Sequence, residues 1–259
     1  MSTGTATLDV RRRKAAAGLA VGGLAAAAWL ALAVWGASPY GRYLDHDGLI
    51  GSGLNHAALL GLFLGGWLLM LVAMMLPSTF SLVGLFVGVV AHRPDRRGTV
   101  ASLLGGYVVV WLGAGVVALG ADSVLHGLAN HVGWIARNHW GVAAATVAVA
   151  GAYEFSALKE RCLEQCRSPR LLIFAVWRGQ RPMAEAFRLG ARHGRYCVGC
   201  CWALMLVMFA MGLGSLGWML LLGAVMAAEK NALWGADLTV PLGGALLVAA
   251  VALAAGGIA

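Results

Sequence analysis

Five cysteines stand in two clusters, Cys162/Cys166 and Cys197/Cys200/Cys201. The C-x-x-x-C spacing puts Cys162 and Cys166 on one helix face, about 5–6 Å apart at Cβ. The C-x-x-C-C spacing does the same for Cys197 with Cys200 and Cys201. Thiolates are soft ligands that suit Cu(I), Zn(II) or iron–sulfur clusters. Lys159, Arg161 and Arg167 flank the first cluster, and His193 and Arg195 precede the second. Nearby cations favour the thiolate, so Lys159 and the arginines are expected to stabilise it. The competing expectation is that the cysteines pack as small, inert hydrophobes.

Methionines extend the pattern. At helical spacing, Cys197, Cys200, Cys201, Leu204, Met208 and Met211 fall on one stripe. Met70 and Met74 are i, i+4 neighbours, Met75 follows directly, and Met219 and Met226 lie two turns apart. Thioethers bind Cu(I) weakly and reversibly, which suits passage of an ion. Ordinary apolar filling is the plainer use of methionine. Glu154 shares an i, i+4 stripe with Leu158, Cys162 and Cys166, and Glu229-Lys230 closes another apolar run. Ionisable groups at membrane depth are costly and therefore functional suspects. For Glu229 and Lys230 the alternative is snorkelling at an interface. His46, His56, His126, His131 and His139, with Asp45, Asp47 and Asp122, form a looser second candidate for collecting metal.

The elements that must position these residues are membrane helices. Apolar residues are 60% of the 259 positions and charged residues 12%, with mean hydropathy +0.79. A soluble globular chain is about 25% charged, and this one cannot cover a water-facing surface. The basic excess, 19 Lys+Arg against 11 Asp+Glu, sits between apolar runs of spanning length. That excludes nucleic acid as the partner and points to anionic lipid headgroups. Glycine is abundant, and Gly61-x-x-x-Gly65 and Gly84-x-x-x-Gly88 are candidate close-packing faces.

About seven spans follow from the apolar runs: 15–36, 56–91 kinked near Pro77, 99–120, 140–158, 197–212, 216–228 and 241–259. Residues 212–215 make the turn between the fifth and sixth. A basic N-terminus over 1–14 precedes a single helical domain over 15–259. With the N-terminus inside, the inner segments hold 17 Lys/Arg and the outer segments only Arg42 and Arg137. The positive-inside rule then gives N-inside and C-outside. The fold class is an all-α polytopic bundle in a bacterial inner membrane. The basic loop 159–196 is cytoplasmic. Its first part continues the fourth helix as far as Ser168-Pro169, and 170–192 make an interfacial amphipathic helix. Cytosolic thiols stay reduced, so no disulfide framework is expected.

Four segments together resemble a bacterial family of predicted metal-binding integral membrane proteins. They are Ala73-Met-Met-Leu-Pro-Ser78, Leu158-Lys-Glu-Arg-Cys-Leu-Glu-Gln-Cys-Arg-Ser-Pro169, Gly194-Arg-Tyr-Cys-Val-Gly-Cys-Cys-Trp-Ala-Leu-Met205, and Glu229-Lys230. The resemblance spans roughly residues 60–231 and implies metal binding. Topology independently brings the four segments to one inner membrane face.

The expected function is handling or transport of a soft metal, Cu(I) before Zn. Cys162, Cys166, Cys197, Cys200 and Cys201 are the expected ligands, and Met74, Met75 and Met208 secondary sites. Lys159, Glu154 and Glu229 have supporting places, and Pro77 would free backbone carbonyls near the site, as broken helices do in transporters. The sequence holds no ATP-binding loop, so transport would be passive, ion-coupled or dependent on a partner, and a metallochaperone or other partner protein is a candidate source or receiver. Two other classes stay open: a membrane thiol oxidoreductase, and a structural or assembly subunit whose cysteines merely pack.

Overall fold

Inside a bilayer every backbone N–H and C=O would have to be satisfied within the protein, and a chain built of helices meets that requirement. The computed structural model describes residues 3–39, 41, 55–131, 139–211 and 216–258. Among them there are ten α-helices and no strand. They are α1 Thr3–Ala37, α2 His56–Met70, α3 Phe80–Val89, α4 Arg96–His131 and α5 His139–Glu154. Then come α6 Ala157–Arg167, α7 Pro169–Val176, α8 Pro182–Met211, α9 Leu216–Asn231 and α10 Thr239–Ile258. Arg42, His46, Arg137 and the turn at 212–215 lie outside the described residues, as do the side chains of His56, His126, His139 and Met211.

Four helical stretches are long and apolar enough to cross a membrane: Gly18–Ala37, Ala57–Met75, Arg96–Val124 and Gly235–Gly257. The α5/α6 pair makes a fifth if its two bent halves count as one span. This is fewer than the seven expected. Arginines run through the first half of α8, and α9 has only 16 residues.

The expected kink at Pro77 takes a defined form. A proline ring clashes with the carbonyl four residues back and lacks an N–H. The helix responds one turn early: Leu71–Met75 is a π-helical turn, with Leu76 N–H donating to Leu71 O at 3.0 Å. A 3-10 turn over Pro77–Thr79 then leads into α3. In a regular α-helix Pro77 would leave the Ala73 carbonyl without a donor. That carbonyl accepts from Trp29 Nε1 of α1 at 3.1 Å. At this position the carbonyl that the proline cannot serve carries an indole donor from another helix.

Two further corrections concern 159–196. The fourth helix does not continue into the polar segment. It stops at Glu154, and α6 leaves at 64°. Ser156 caps the new helix, accepting from Lys159 N–H at 3.1 Å, as a serine at an N-cap should. Helix α6 ends at Ser168-Pro169 as expected, but 170–192 is not one interfacial helix. A short α7 is followed by a turn at Gly179, where φ is +78°, and by α8. Helix α8 runs unbroken from Pro182 through both the basic stretch and the cysteines.

One stripe of α8 explains this. Ala186, Leu189, Gly190, His193, Gly194, Cys197, Cys200, Cys201, Leu204 and Met208 are all buried, while Arg188 and Arg195 on the other side are exposed. The buried face lies along α4, in parallel. Ser102 Oγ donates to Met183 O at 2.7 Å, and Tyr107 reaches Cys197 further along. The close approach uses glycines other than those expected. A Cβ on Gly190 would collide with the Leu103 carbonyl, and one on Gly106 with the backbone of Phe187 and Ala191. Gly61 and Gly65 have nothing within 4 Å of a built Cβ, and Gly84 meets only Phe80 at 3.8 Å.

The turn into α8 is held by Glu185. Its carboxylate accepts from the backbone N–H groups of Arg178 and Gly179 at 2.6 Å each, Gln180 at 3.1 Å and Arg181 at 3.0 Å. Those donors, that of Arg181 foremost, lower its pKa to about 2.

Two predictions follow from these contacts. Gly190→Ala should destabilise the protein in detergent by about 1–3 kcal/mol, the usual cost of overpacking, whereas Gly61→Ala should be neutral or slightly stabilising; thermal unfolding of the two variants decides. The second concerns acid. A carboxylate depressed in the folded state adds stability above its ordinary value of 4.5 and loses it as pH falls toward 2. Glu185→Gln should be less stable than wild type at neutral pH and should lack this acid-dependent loss, as read from melting temperature against pH.

Candidate metal centre

The bend at Phe155-Ser156 turns α6 back against α8, and the two cysteine clusters meet. Cys166 Sγ lies 3.8 Å from Cys200 Sγ. A Cβ on Gly199 would sit 2.6 Å from Cys162 Sγ, so this glycine leaves room for the thiol between Cys197 and Cys200. All five cysteines are free and buried. Seven methionines, Met70, Met74, Met75, Met205, Met208, Met219 and Met226, share one core with them.

The sulfurs differ in what they touch. Cys200 and Cys201 donate to the Cys197 carbonyl at 3.2 and 2.9 Å, the usual use of a thiol in a helix. Cys197 is 1% exposed and sits in a polar niche. Lys230 Nζ donates to its Sγ at 3.1 Å, and the Tyr107 hydroxyl lies 3.2 Å away. Lys230 Nζ is also 3.6 Å from Met75 Sδ. The His193 ring stacks on Tyr107 at 5.8 Å, and its Nδ1 is buried without a hydrogen-bond partner. Met75, at the end of the π-helical turn, is thereby brought beside the second cysteine cluster. Met74 packs against α9 at Gly223.

Lys159 is where the expectation and the geometry part. It was expected beside thiolates. It lies instead between two carboxylates, donating to Glu154 and, at 2.8 Å, to Glu229 Oε1. Its side chain has 0% exposure. Arg161 points away into the exposed face of α6. Arg167 donates to the carbonyls of Glu229 and Leu233, closing the C-terminus of α9, where a cation is favoured. The stripe expected from Glu154 through Leu158 to the cysteines is broken by the bend, and Leu158 is exposed. The cation beside a cysteine is Lys230, expected only as a member of the Glu229-Lys230 pair and not as a partner of the cysteines, and Tyr107 was not expected at the site at all. Glu229 and Lys230 are both buried rather than snorkelling.

The donor set suits a soft ion of low coordination number. Among the described residues, no three Cys, His, Asp or Glu side chains are grouped to close on one ion. Sulfur pairs drawn from Cys and Met suit Cu(I).

The family PpoB2, described as copper chaperone, matches residues 64–253. The chain belongs to this copper chaperone family. The matched segment runs from α2 into α10 and contains every cysteine, Met74, Met75, Tyr107, Lys159 and Lys230. Helix α1, which supplies Trp29 to the Ala73 carbonyl, precedes it. No curated protein and no solved structure matches the chain.

The Glu154–Lys159–Glu229 arrangement yields a prediction. Breaking a buried ion pair leaves an uncompensated charge and costs about 3–5 kcal/mol, whereas replacing all its members by neutral groups is often tolerated. Lys159→Met should therefore lower thermal stability sharply. Adding Glu154→Gln and Glu229→Gln should recover a large part of the loss. If the triple variant is no more stable than Lys159→Met, the ion pairs are not what holds α6 in place.

Proposed function

We propose that this chain is an inner-membrane copper chaperone. In this reading it takes up Cu(I) as cargo on a buried cysteine–methionine site and gives it to a partner protein. The observation that carries this reading is the meeting of the two cysteine clusters with Met75, between helices far apart in sequence. Cys162, Cys166, Cys197 and Cys200 are the proposed thiol ligands. Cys201, Met74, Met75 and Met208 extend the sulfur surface along α8 and the π-helical turn. Membership of a copper chaperone family agrees with Cu(I) over Zn(II).

The reading includes seven crossings with the N-terminus in the cytoplasm. Helix directions support it. Helices α4 and α8 start on the same side. Trp140 lies against Gly257 and Gly151 against Leu247, so α5 and α10 are antiparallel. Trp29 lies against Ala73 and Gly18 against Phe80, so α1 and the α2–α3 rod are antiparallel too. Alternating crossings require these relations. The exposed arginines of α6–α8 would then meet anionic headgroups.

The 3.8 Å approach of Cys166 and Cys200 is also what a membrane thiol oxidoreductase would need. One experiment separates the two readings. Protein purified without oxygen and titrated with Cu(I) against a chromophoric chelator should bind copper. Cys166→Ser and Cys200→Ser should each weaken binding, and the double variant should be little worse than either, because the ligands act together. Met208→Leu keeps volume and apolarity; it should spare binding but slow transfer of Cu(I) to an acceptor chelator. Cu(I) affinity equal in wild type and in the variant with all five cysteines changed to serine would overturn the proposal. A Cys166–Cys200 disulfide that cycles with a quinone pool, without copper binding, would establish the oxidoreductase instead.

A further inference from the structure

Lys230 is an unusual neighbour for a metal-binding cysteine. Metal sites commonly place carboxylates near the ion, and here the arrangement is inverted. The two buried carboxylates on α5 and α9, Glu154 and Glu229, are both taken by Lys159. The group left facing Cys197 Sγ and Met75 Sδ is the Lys230 ammonium, at 3.1 and 3.6 Å. It is 7% exposed, so water screens it little.

We propose that Lys230 is the specificity-determining residue of the sulfur site, restricting it to a monovalent metal ion. This rests on the Cu(I) reading above and names the residue that enforces it. Nearest the ammonium the ion is met by the Met75 thioether and the Cys197 thiolate, alone or with one more of the proposed cysteine ligands. With one thiolate, a monovalent ion makes a neutral complex and a divalent ion a complex of charge +1. With two thiolates the charges are −1 and 0. In each case the monovalent complex is the one better matched to an adjacent ammonium. Coulomb energy is proportional to charge, so at a fixed position the divalent ion meets twice the repulsion. Lys230 also donates to the sulfurs from the side, holding Cys197 and Met75 together. The Tyr107 hydroxyl stands on Cys197 as well, 3.5 Å from the Met75 carbonyl. The turn that presents Met75 is thus tied to the same point.

The test uses full-length protein in detergent, purified without oxygen. Cu(I) affinity is measured against a chromophoric chelator and Zn(II) affinity against a fluorescent one. Specificity is the ratio of the two. Lys230→Gln should strengthen Zn(II) binding and weaken Cu(I) binding, narrowing the ratio by about tenfold or more. Lys230→Arg keeps the charge and should stay within about threefold of the wild-type ratio. Lys230→Met, apolar and of similar length, replaces the glutamine variant if that one fails to fold by thermal unfolding. A wild type that binds Cu(I) selectively, with an unchanged ratio in the neutral variants, overturns the role of Lys230 and leaves the copper reading standing. A wild type that binds no Cu(I) overturns the copper reading itself.

Discussion

A lysine with no exposed surface is intolerable in a helical core unless anions surround it, and Lys159 is such a lysine. Much of the candidate centre depends on how its charge is met. One carboxylate comes from Glu154, at the end of α5, and the other from Glu229, near the end of α9. Lys159 itself stands in the first turn of α6. Satisfying it therefore fixes three helices against one another. The Lys159–Glu154 contact goes with the 64° bend at Phe155-Ser156, since in a straight helix residues five apart face different sides. The same turn brings Cys162 and Cys166 onto α8. Arg167 adds a second tie, from the far end of α6 to the carbonyls that finish α9.

The placement of the cysteines was legible in the sequence because it follows helical spacing. The C-x-x-x-C and C-x-x-C-C patterns placed each cluster on one face, and the structure brings the two faces together. Pro77 marked a break in the second apolar run, as found. The partners of those residues were not legible. Lys230 and Tyr107 lie 33 and 90 positions from Cys197, and no local pattern distinguishes them from an interfacial lysine and an apolar-face tyrosine. Lys159 was misassigned because adjacency to Cys162 in sequence looked like adjacency to its thiolate. On a helix a neighbour three positions away faces the same side, yet a long side chain can be drawn along the helix by a stronger partner.

The stretch 182–196 shows how average polarity misleads. Its arginines made it read as a loop and then as an interfacial segment. The buried residues of the same stretch, Leu189, Gly190, His193 and Gly194, continue the spacing of Cys197, Cys200 and Cys201. One helical stripe therefore runs from charged surroundings into apolar ones. The glycines follow the same logic. Gly61 and Gly65 have the right spacing but face no partner, while Gly190 and Gly106 sit where α4 and α8 touch backbone to backbone. A small-residue motif says that close approach is permitted. Only the opposing helix decides where it occurs.

The π-helical turn links this framework to the chemistry. A regular helix through Leu71–Met75 would carry the register of Met74 and Met75 straight into Pro77. Widening that turn shifts the side chains by part of a turn, and π-bulges recur at functional sites for that reason. The shift is held from three directions. Trp29 of α1 takes the orphaned Ala73 carbonyl, Ser78 Oγ donates to the Met75 carbonyl at 2.8 Å, and Met74 wedges beside Gly223 of α9. The Met75 thioether is left beside the Lys230 ammonium rather than in plain apolar packing. A thioether is only a weak acceptor, and an ammonium withdrawn from water beside one is costly. Two costly features, a distorted helix and a buried cation, converge on a single sulfur pair, Met75 and Cys197. Pro77 accounts for the distortion, and the proposed ion site would give the buried cation beside that pair a use.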